Sequence, residues 1–193
     1  SGKVVIGEEL LTDSSNFTNT LKVIGDANIT GYVYSKNQVA QVHREANITA
    51  GAIDTWYNLT WDLEVADETT NGWYNLTDSN SSVTVVGFDG IVRVQGCLHP
   101  YNDNIGNQIA TIYARVLVNG IEARCLQAST TKEFKSSATD ILPYIGTVRV
   151  KDGDVINVQW RTTNTNLMLK GKTIFDNPVS ASVNFERISG LDE

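Results

Sequence analysis

Proline is scarce in this 193-residue chain, with three residues, at positions 100, 143 and 178, all in the second half. Cysteine is scarcer: Cys97 and Cys125 are the two present, too few for a disulfide scaffold. Basic charge is also thin. Fifteen Lys and Arg are scattered singly against 22 Asp and Glu, for a net charge of −7. A surface that tracks nucleic-acid phosphates needs clustered cations, so this balance argues against nucleic acid as a partner. Apolar runs last only a few residues and no basic amphipathic stretch occurs, which argues against membrane insertion. The opening SGKVVIGEEL lacks the apolar centre of a signal peptide, and Ser1 fits either loss of an initiator Met or a processed or trimmed end. Sustained helical periodicity is missing throughout.

What is present is strand signal. Hydrophobic residues make up 41% and charged residues 19%, a globular composition with enough apolar surface for a core. Short period-two runs rich in Val, Ile, Thr and Tyr are separated by Gly, Asn and Asp. The chain reads as all-β.

Ile112 to Ala128, IYARVLVNGIEARCLQA, predicts a hairpin closed by a two-residue type I′ turn at Asn119-Gly120. That turn sets Val118 opposite Ile121, Val116 opposite Ala123 and Ala114 opposite Cys125, all expected on a core face. Tyr113, Arg115, Glu122 and Arg124 take the other face, where Arg115 and Arg124 would form a like-charge pair, screened by solvent or else neutralised by an acidic group from a neighbouring strand or chain. Thr147 to Trp160 predicts a second hairpin, with Val148 and Val150 entering a KDGD turn and Ile156, Val158 and Trp160 leaving it. Asp152 and Asp154 belong to a simple Asp-Gly turn, since the further acidic ligands of a calcium loop are absent. Cys97 and Cys125 both fall in predicted strands of this region and could pair; the alternative is two reduced thiols acting as small hydrophobes.

The first 35 residues differ. LKVIGDANITGY interleaves single apolar residues with Gly, Asp and Asn, and the tetrad Ala-Asn-Ile-Thr recurs at 27–30 and 46–49. Such a segment buries too little to fold alone, and makes sense if three identical chains wind together and bury Val23, Ile29 and Val33 as a shaft.

From about Lys36 to Ser189 the order of features resembles a known fold. A polar start, NQVAQVHREANITAG, is followed by an aromatic-Asp strand end at Trp61-Asp62 and a loop running to Trp73-Tyr74. SSVTVVGFDGIVRVQGCL comes next, with Ile91 where an aromatic is usual, then the Asn-Gly hairpin, KDGDVINV and the closing SASVNFERIS. Together these resemble the TNF-like antiparallel jelly roll, the fold of the complement q globular head, in the form found on phage and other viral fibres and capsid-decoration proteins. The resemblance implies a homotrimer with the last strand near its three-fold axis. It implies residues 1–35 as an attachment and shaft segment and 36–193 as the head, displayed at a virion surface. The expected partners are two copies of the same chain, other virion proteins through the N-terminal segment, and a host-surface glycan or protein.

Nothing in the sequence matches a nucleophile elbow, a phosphate loop or a zinc-protease motif, and neither His43 nor His99 has a Cys, Asp or Glu at the spacing of a metal-ligand motif. No enzyme activity, cofactor or metal is therefore expected. In TWYNLTW the alternation puts Tyr57, Leu59 and Trp61 toward the core and Trp56, Asn58 and Thr60 outward. Trp56, with Trp73 and Tyr74 in a nearby loop, is a candidate surface for stacking sugars; sealing of a subunit interface or a barrel end is the alternative. Six N-x-[ST] sequons, at Asn16, Asn28, Asn47, Asn58, Asn75 and Asn80, would carry sugars in a host that glycosylates asparagine. In a bacterial host they are turn formers and strand-edge polar groups.

Overall fold

The computed structural model describes residues 39–64, 74–77, 80–87, 89–171 and 179–190, all within the unit Lys36–Glu193. Val23, Ile29, Val33, Asn16, Asn28 and Trp73 lie outside them. Among the described residues there is no helix, and hence none long and apolar enough to cross a membrane. Numbered along the chain, the first strands are β1 (Val39–Arg44), β2 (Ile48–Thr49), β3 (Tyr57–Asn58), β4 (Leu63–Glu64), β5 (Tyr74–Thr77), β6 (Ser82–Val85) and β7 (Gly90–Leu98). The rest are β8 (Pro100–Asn102), β9 (Gln108–Val118), β10 (Ile121–Phe134), β11 (Leu142–Val150), β12 (Val155–Thr162), β13 (Leu167–Leu169) and β14 (Ala181–Gly190).

Two antiparallel sheets stack on one core. One has the order β11-β7-β14-β1-β4, the other β10-β9-β12-β6-β5 with β3 alongside β12, and β2-β13-β8 form a small third sheet. Period two assigns the faces: Val92, Val94, Leu98, Val148, Val150, Val183 and Phe185 point inward from the first sheet, and Ile112, Ala114, Val116, Ile156, Val158 and Trp160 from the second. Trp160 is fully buried. It sits opposite Ala114 on β9, whose own partner on β10 is Ala128, so small residues on two strands leave room for the indole. Tyr57 flanks it from β3, with ring centroids 6.2 Å apart. Tyr57, Leu59 and Trp61 face the core and Asn58 faces out, as the alternation requires.

The segment 147–160 departs from the sequence expectation in an instructive way. Val148 and Val150 alternate in, and Ile156, Val158 and Trp160 alternate out, but β11 and β12 belong to opposite sheets and do not pair. The connection is an arch across the sandwich, and the two apolar rows meet through the core instead of lying side by side. Gly153 takes φ 83° at its apex, a conformation that favours glycine. Asp154 accepts from Lys151 N at 2.7 Å, and Asp152 accepts from Gly87 N at 2.7 Å. Both carboxylates therefore hold backbone at the bend.

The first hairpin forms with its turn where expected, Asn119 at φ 51° and Gly120 at φ 77°. Val118 faces Ile121 and Leu117 faces Glu122, but the register then slips, and Arg115 faces Gln127 with Ala114 opposite Ala128. Val116 is thus the one β9 residue facing the stretch from Ala123 to Leu126, so β10 carries a wide bulge. The expected partners of Val116 and Ala114 are displaced, Ile121 is 75% exposed instead of buried, and Arg115 never meets Arg124. The bulge drives Leu126, 1% exposed, inward at the edge of the sandwich. There it occupies the space beside Gly146 of β11, where a Cβ would lie 2.7 Å from Leu126 Cδ2 and from the Cys125 carbonyl oxygen. The two sheets close against each other at this point.

Gly96 serves a similar purpose in β7. Its neighbours in the sheet are Val183 and Tyr144, and the Tyr144 ring lies across it to donate from its hydroxyl to Ser182 O at 3.2 Å. A Cβ on Gly96 would fall 2.3 Å from that same carbonyl oxygen and 2.4 Å from the tyrosine oxygen. Since backbone cannot retreat cheaply, Gly96→Ala should destabilise by about 3 kcal/mol or more, lowering Tm by roughly 6–12 °C for a domain of this size. Gly120→Val, in open space but at positive φ, should cost about 1–3 kcal/mol. Thermal unfolding followed by circular dichroism checks both, and an unchanged Tm for either variant would show that its backbone assignment is wrong.

Candidate functional site

The outward face of the second sheet gathers arginine and aromatic side chains from elements far apart in sequence. Strand register places Arg161 of β12 beside Tyr113 of β9, and Gln159 beside Arg115. Trp56 leads into β3, which pairs with β12 through Tyr57 and Trp160. The Arg115 guanidinium carbon lies 4.0 Å from the Trp56 ring centroid. The Arg161 carbon lies 4.9 Å from Trp56 and 4.2 Å from Tyr113. Trp56 and Tyr113 meet edge to face, with centroids 6.3 Å apart. Each desolvated cation–π contact of this kind contributes about 0.5–2 kcal/mol.

A polar belt crosses the same face. Asn58 Oδ1 accepts from Gln159 Nε2 at 2.7 Å, and Gln159 Oε1 accepts from Arg115 Nε at 2.9 Å. Arg115 Nη1 pairs with Glu122 Oε2 at 2.9 Å, and Glu122 also accepts from Gln127 Nε2. The register slip in β10 makes this possible by bringing Gln127, not Arg124, opposite Arg115. The charge of Arg115 is thus met by a carboxylate as well as by solvent. A cleft of about 410 Å³ lies over these residues, lined among others by Trp56, Tyr113, Arg115, Glu122, Gln127 and Arg161.

Of the expected aromatic patch, Trp56 alone is placed at this surface. Tyr74 pairs with Val85 and is 6% exposed, because β5 turns it, like Leu76, toward the core. It is a packing residue. Nor is Trp56 a bare platform, since two guanidinium groups already engage its ring. Tyr113 and Arg115 were legible as outward residues from the alternation of β9. Arg161 was not, because no sequence signal names β12 as the neighbour of β9.

The sequons divide as follows. Asn47, Asn58 and Asn80 are exposed, Asn80 in a turn at φ 62°. Asn75 lies in β5, and Asn16 and Asn28 fall outside the described residues.

The outward face of the first sheet carries a different group. Cys97 Sγ lies 3.4 Å from His99 Nε2 and 3.2 Å from Ser182 Oγ, in a shallow cleft of about 330 Å³. His99 Nδ1 donates to the Val179 carbonyl oxygen, which can only accept, and Nε2 is turned toward the Cys97 sulfur. Burial raises the Cys97 pKa, but the bonds from His99 and Ser182 outweigh it and the net shift is downward. Burial, with the nearby Cys97 charge, pushes the Tyr144 phenol far up, so it remains a donor to Ser182 O. Cys97 and Cys125 are both free thiols. Of the two alternatives the sequence leaves open, the structure takes the reduced one: Cys97 points outward from β7 in the first sheet, while Cys125 is exposed on β10 of the second. Among the described residues no three His, Cys, Asp or Glu side chains cluster as a metal site.

Asp62, the residue of the aromatic-Asp strand end, has a structural task. It pairs with Arg44 and accepts from the backbone N–H groups of Glu45 and Ala46 at 2.9 and 3.0 Å. The end of β1 is tied down by this carboxylate, while Trp61, 2% exposed, packs into the core.

No family model matches the chain, and no curated protein matches it in sequence. Solved structures do match it in shape. Eiger TNF from S. frugiperda aligns with a TM-score of 0.53 over 81% of this chain and 96% of that one, at 12% identity. Murine APRIL at pH 5.0 aligns with a TM-score of 0.51 over 79% of this chain and 100% of that one, at 13% identity. The fold is a TNF-like jelly roll. Identities this low establish the fold and leave function to the site itself.

The thiol assignment is directly testable. Denatured, unreduced protein should titrate two thiols per chain, and in the native protein Cys125 should label before Cys97. Loss of both thiols until a reductant is added would contradict the placement of Cys97 and Cys125 as separate free thiols.

Proposed function

We propose that this chain is a non-enzymatic structural protein of a virion surface, a homotrimer whose TNF-like head projects from the particle. A capsid decoration, a head fibre or a tail-fibre tip would all fit. The observation that carries the reading is the outward face of the β11-β7-β14-β1-β4 sheet. One row of it, Ile145, Gln95, Asn184 and Gln41, is uncharged across β11, β7, β14 and β1. Ile145 is 61% exposed, and the Asn184 side-chain oxygen is enclosed without a hydrogen-bond partner. A second copy packed on this face would bury the isoleucine without stranding a charge. The charged row beside it is self-compensating, with Arg93 bound to Glu186 at 2.8 Å. A three-fold arrangement is supported by the fold, in which the closing strand β14 lies at the centre of this sheet.

Residues 1–35 are the proposed attachment and shaft segment, with Val23, Ile29 and Val33 buried between three chains, and 36–193 the head. The interleaved apolar pattern and the recurring Ala-Asn-Ile-Thr support this division. The arginine–aromatic cleft on the opposite face supports a role in host attachment. The same cleft favours a second reading, a soluble carbohydrate- or ligand-recognition head of cellular origin acting outside the cell. Peptide mass spectrometry of purified particles separates the two: a virion protein is present at fixed copy number, and its absence would leave the second reading standing.

Light scattering at micromolar concentration should return three times 21.2 kDa. Ile145→Glu should yield monomers with unchanged circular dichroism, because the side chain is solvent-exposed in the single chain. Deletion of residues 1–35 should abolish attachment and leave folded heads. A monomeric native chain would remove the basis for this reading.

A further inference from the structure

We infer that the cleft beside Trp56 binds a saccharide through a single sugar carboxylate, with Arg161 as the fork that holds it; this deepens the attachment half of the reading above. Arg161 is the uncompensated charge of the cleft. Arg115 is already bound to Glu122 and Gln159. Arg161 touches two aromatic rings but has no carboxylate or carbonyl partner among the described residues, and its Nε is enclosed without an acceptor. That Nε lies out of a ligand's reach, so the two Nη groups are what an arriving acceptor would meet, and a hydrogen bond to a charged group contributes about 1.5–3 kcal/mol. The rings of Tyr113 and Trp56 hold the guanidinium in place before any ligand arrives. Little side-chain freedom is then lost on binding, where an unrestrained residue would lose about 0.5–1.5 kcal/mol. A planar guanidinium fork can meet a carboxylate with two parallel hydrogen bonds.

Charge limits the ligand further. Two arginines and one glutamate line the cleft, leaving one net positive charge. The whole chain carries −7, so a polysulfated chain would gain one favourable site and meet repulsion elsewhere within the roughly 8 Å screening length at physiological salt. A monoanion fits this balance. The rim offers groups suited to hydroxyls and amides, Gln127 on β10 and Ser129 beside Tyr113. At about 410 Å³ the cleft lies at the small end of the roughly 300–1,000 Å³ typical of ligand sites, the size for one substituted sugar ring. An acidic peptide recognised by strand addition needs a free sheet edge, whereas the cleft lies over β9, an interior strand between β10 and β12.

The test is calorimetric titration of the intact chain with the methyl glycosides of N-acetylneuraminic acid and glucuronic acid. Methyl N-acetylglucosaminide, acetate and an acidic tripeptide serve as comparison ligands. At least one acidic glycoside should bind more tightly than every comparison ligand. Arg161→Gln should weaken it at least tenfold, and Arg161→Lys, a point charge without the fork, should restore only part. Glu122→Gln should tighten binding several-fold by freeing Arg115, a gain that misfolding cannot produce. Binding of acetate or the tripeptide as tight as the glycosides, an Arg161→Gln variant that binds like the native chain, or no acidic glycoside bound at all would overturn the proposal. Light scattering on the same samples keeps the two readings apart. A trimer that ignores both acids sinks this site alone, and a monomer that binds one sinks the assembly alone.

Discussion

The arch at residues 151–154 is the constraint from which the rest of the head follows. It carries the chain from one sheet to the other between two strands that are both apolar on alternate residues. Val148 and Val150 are therefore placed facing Ile156, Val158 and Trp160 across the interior, with every one of these side chains nearly excluded from water. Burying a large apolar side chain contributes about 1.5–3 kcal/mol, and the rows flanking β11 and β12 repeat the arrangement. The arch is held by its own aspartates and by backbone from β6, since Val85 N donates to Asp154 O at 2.8 Å and Gly153 N to Val85 O at 2.9 Å. The bend is thus fastened to a strand of the sheet it enters.

Period two made the faces legible in the sequence, residue by residue. Val116, Ile156, Val158, Trp160, Leu59 and Trp61 are buried where alternation put them, and Asn119-Gly120 turns where its chemistry demanded. Partnership was not legible. Alternation reports which side of a strand is apolar and says nothing about which strand lies next to it, so β11 and β12 looked like a hairpin. The slip in β10 was hidden for a related reason. Local sequence allows Ala123 to Leu126 to continue the ladder, and only the cavity beside Gly146, created by a residue some twenty positions later, draws Leu126 out of register. The candidate site inherits both gaps: Trp56 and Arg115 were visible as outward residues, while Arg161 and the Glu122–Arg115 pairing depend on strand order and on the slip. Tyr74 was misplaced because it stands at the edge of a loop in sequence but at the start of a core strand in space.

The two outward faces of the sandwich differ in how completely they satisfy themselves. The β10-β9-β12 face links Asn58, Gln159, Arg115, Glu122 and Gln127 in one hydrogen-bonded belt and leaves a single arginine over. The β11-β7-β14-β1 face has an exposed isoleucine on its edge strand, β11, and an uncharged row running from it. A surface complete except for one charge suits a small polar ligand. One with an uncovered isoleucine suits a broad protein partner. Placing these on opposite sides of a core of about 10 Å thickness lets the head be held on one side while the other stays open.

The displaced stretch in β10 has a bearing on behaviour at high concentration. At fourteen residues β10 is the longest strand among the described residues and lies at the end of its sheet, a position whose open backbone groups could template cross-β stacking between molecules. The bulge from Ala123 to Leu126 breaks that edge into two shorter pieces and turns one of its backbone carbonyls, that of Cys125, toward Gly146. Broken in this way, the edge offers a shorter template for stacking on another molecule at high concentration.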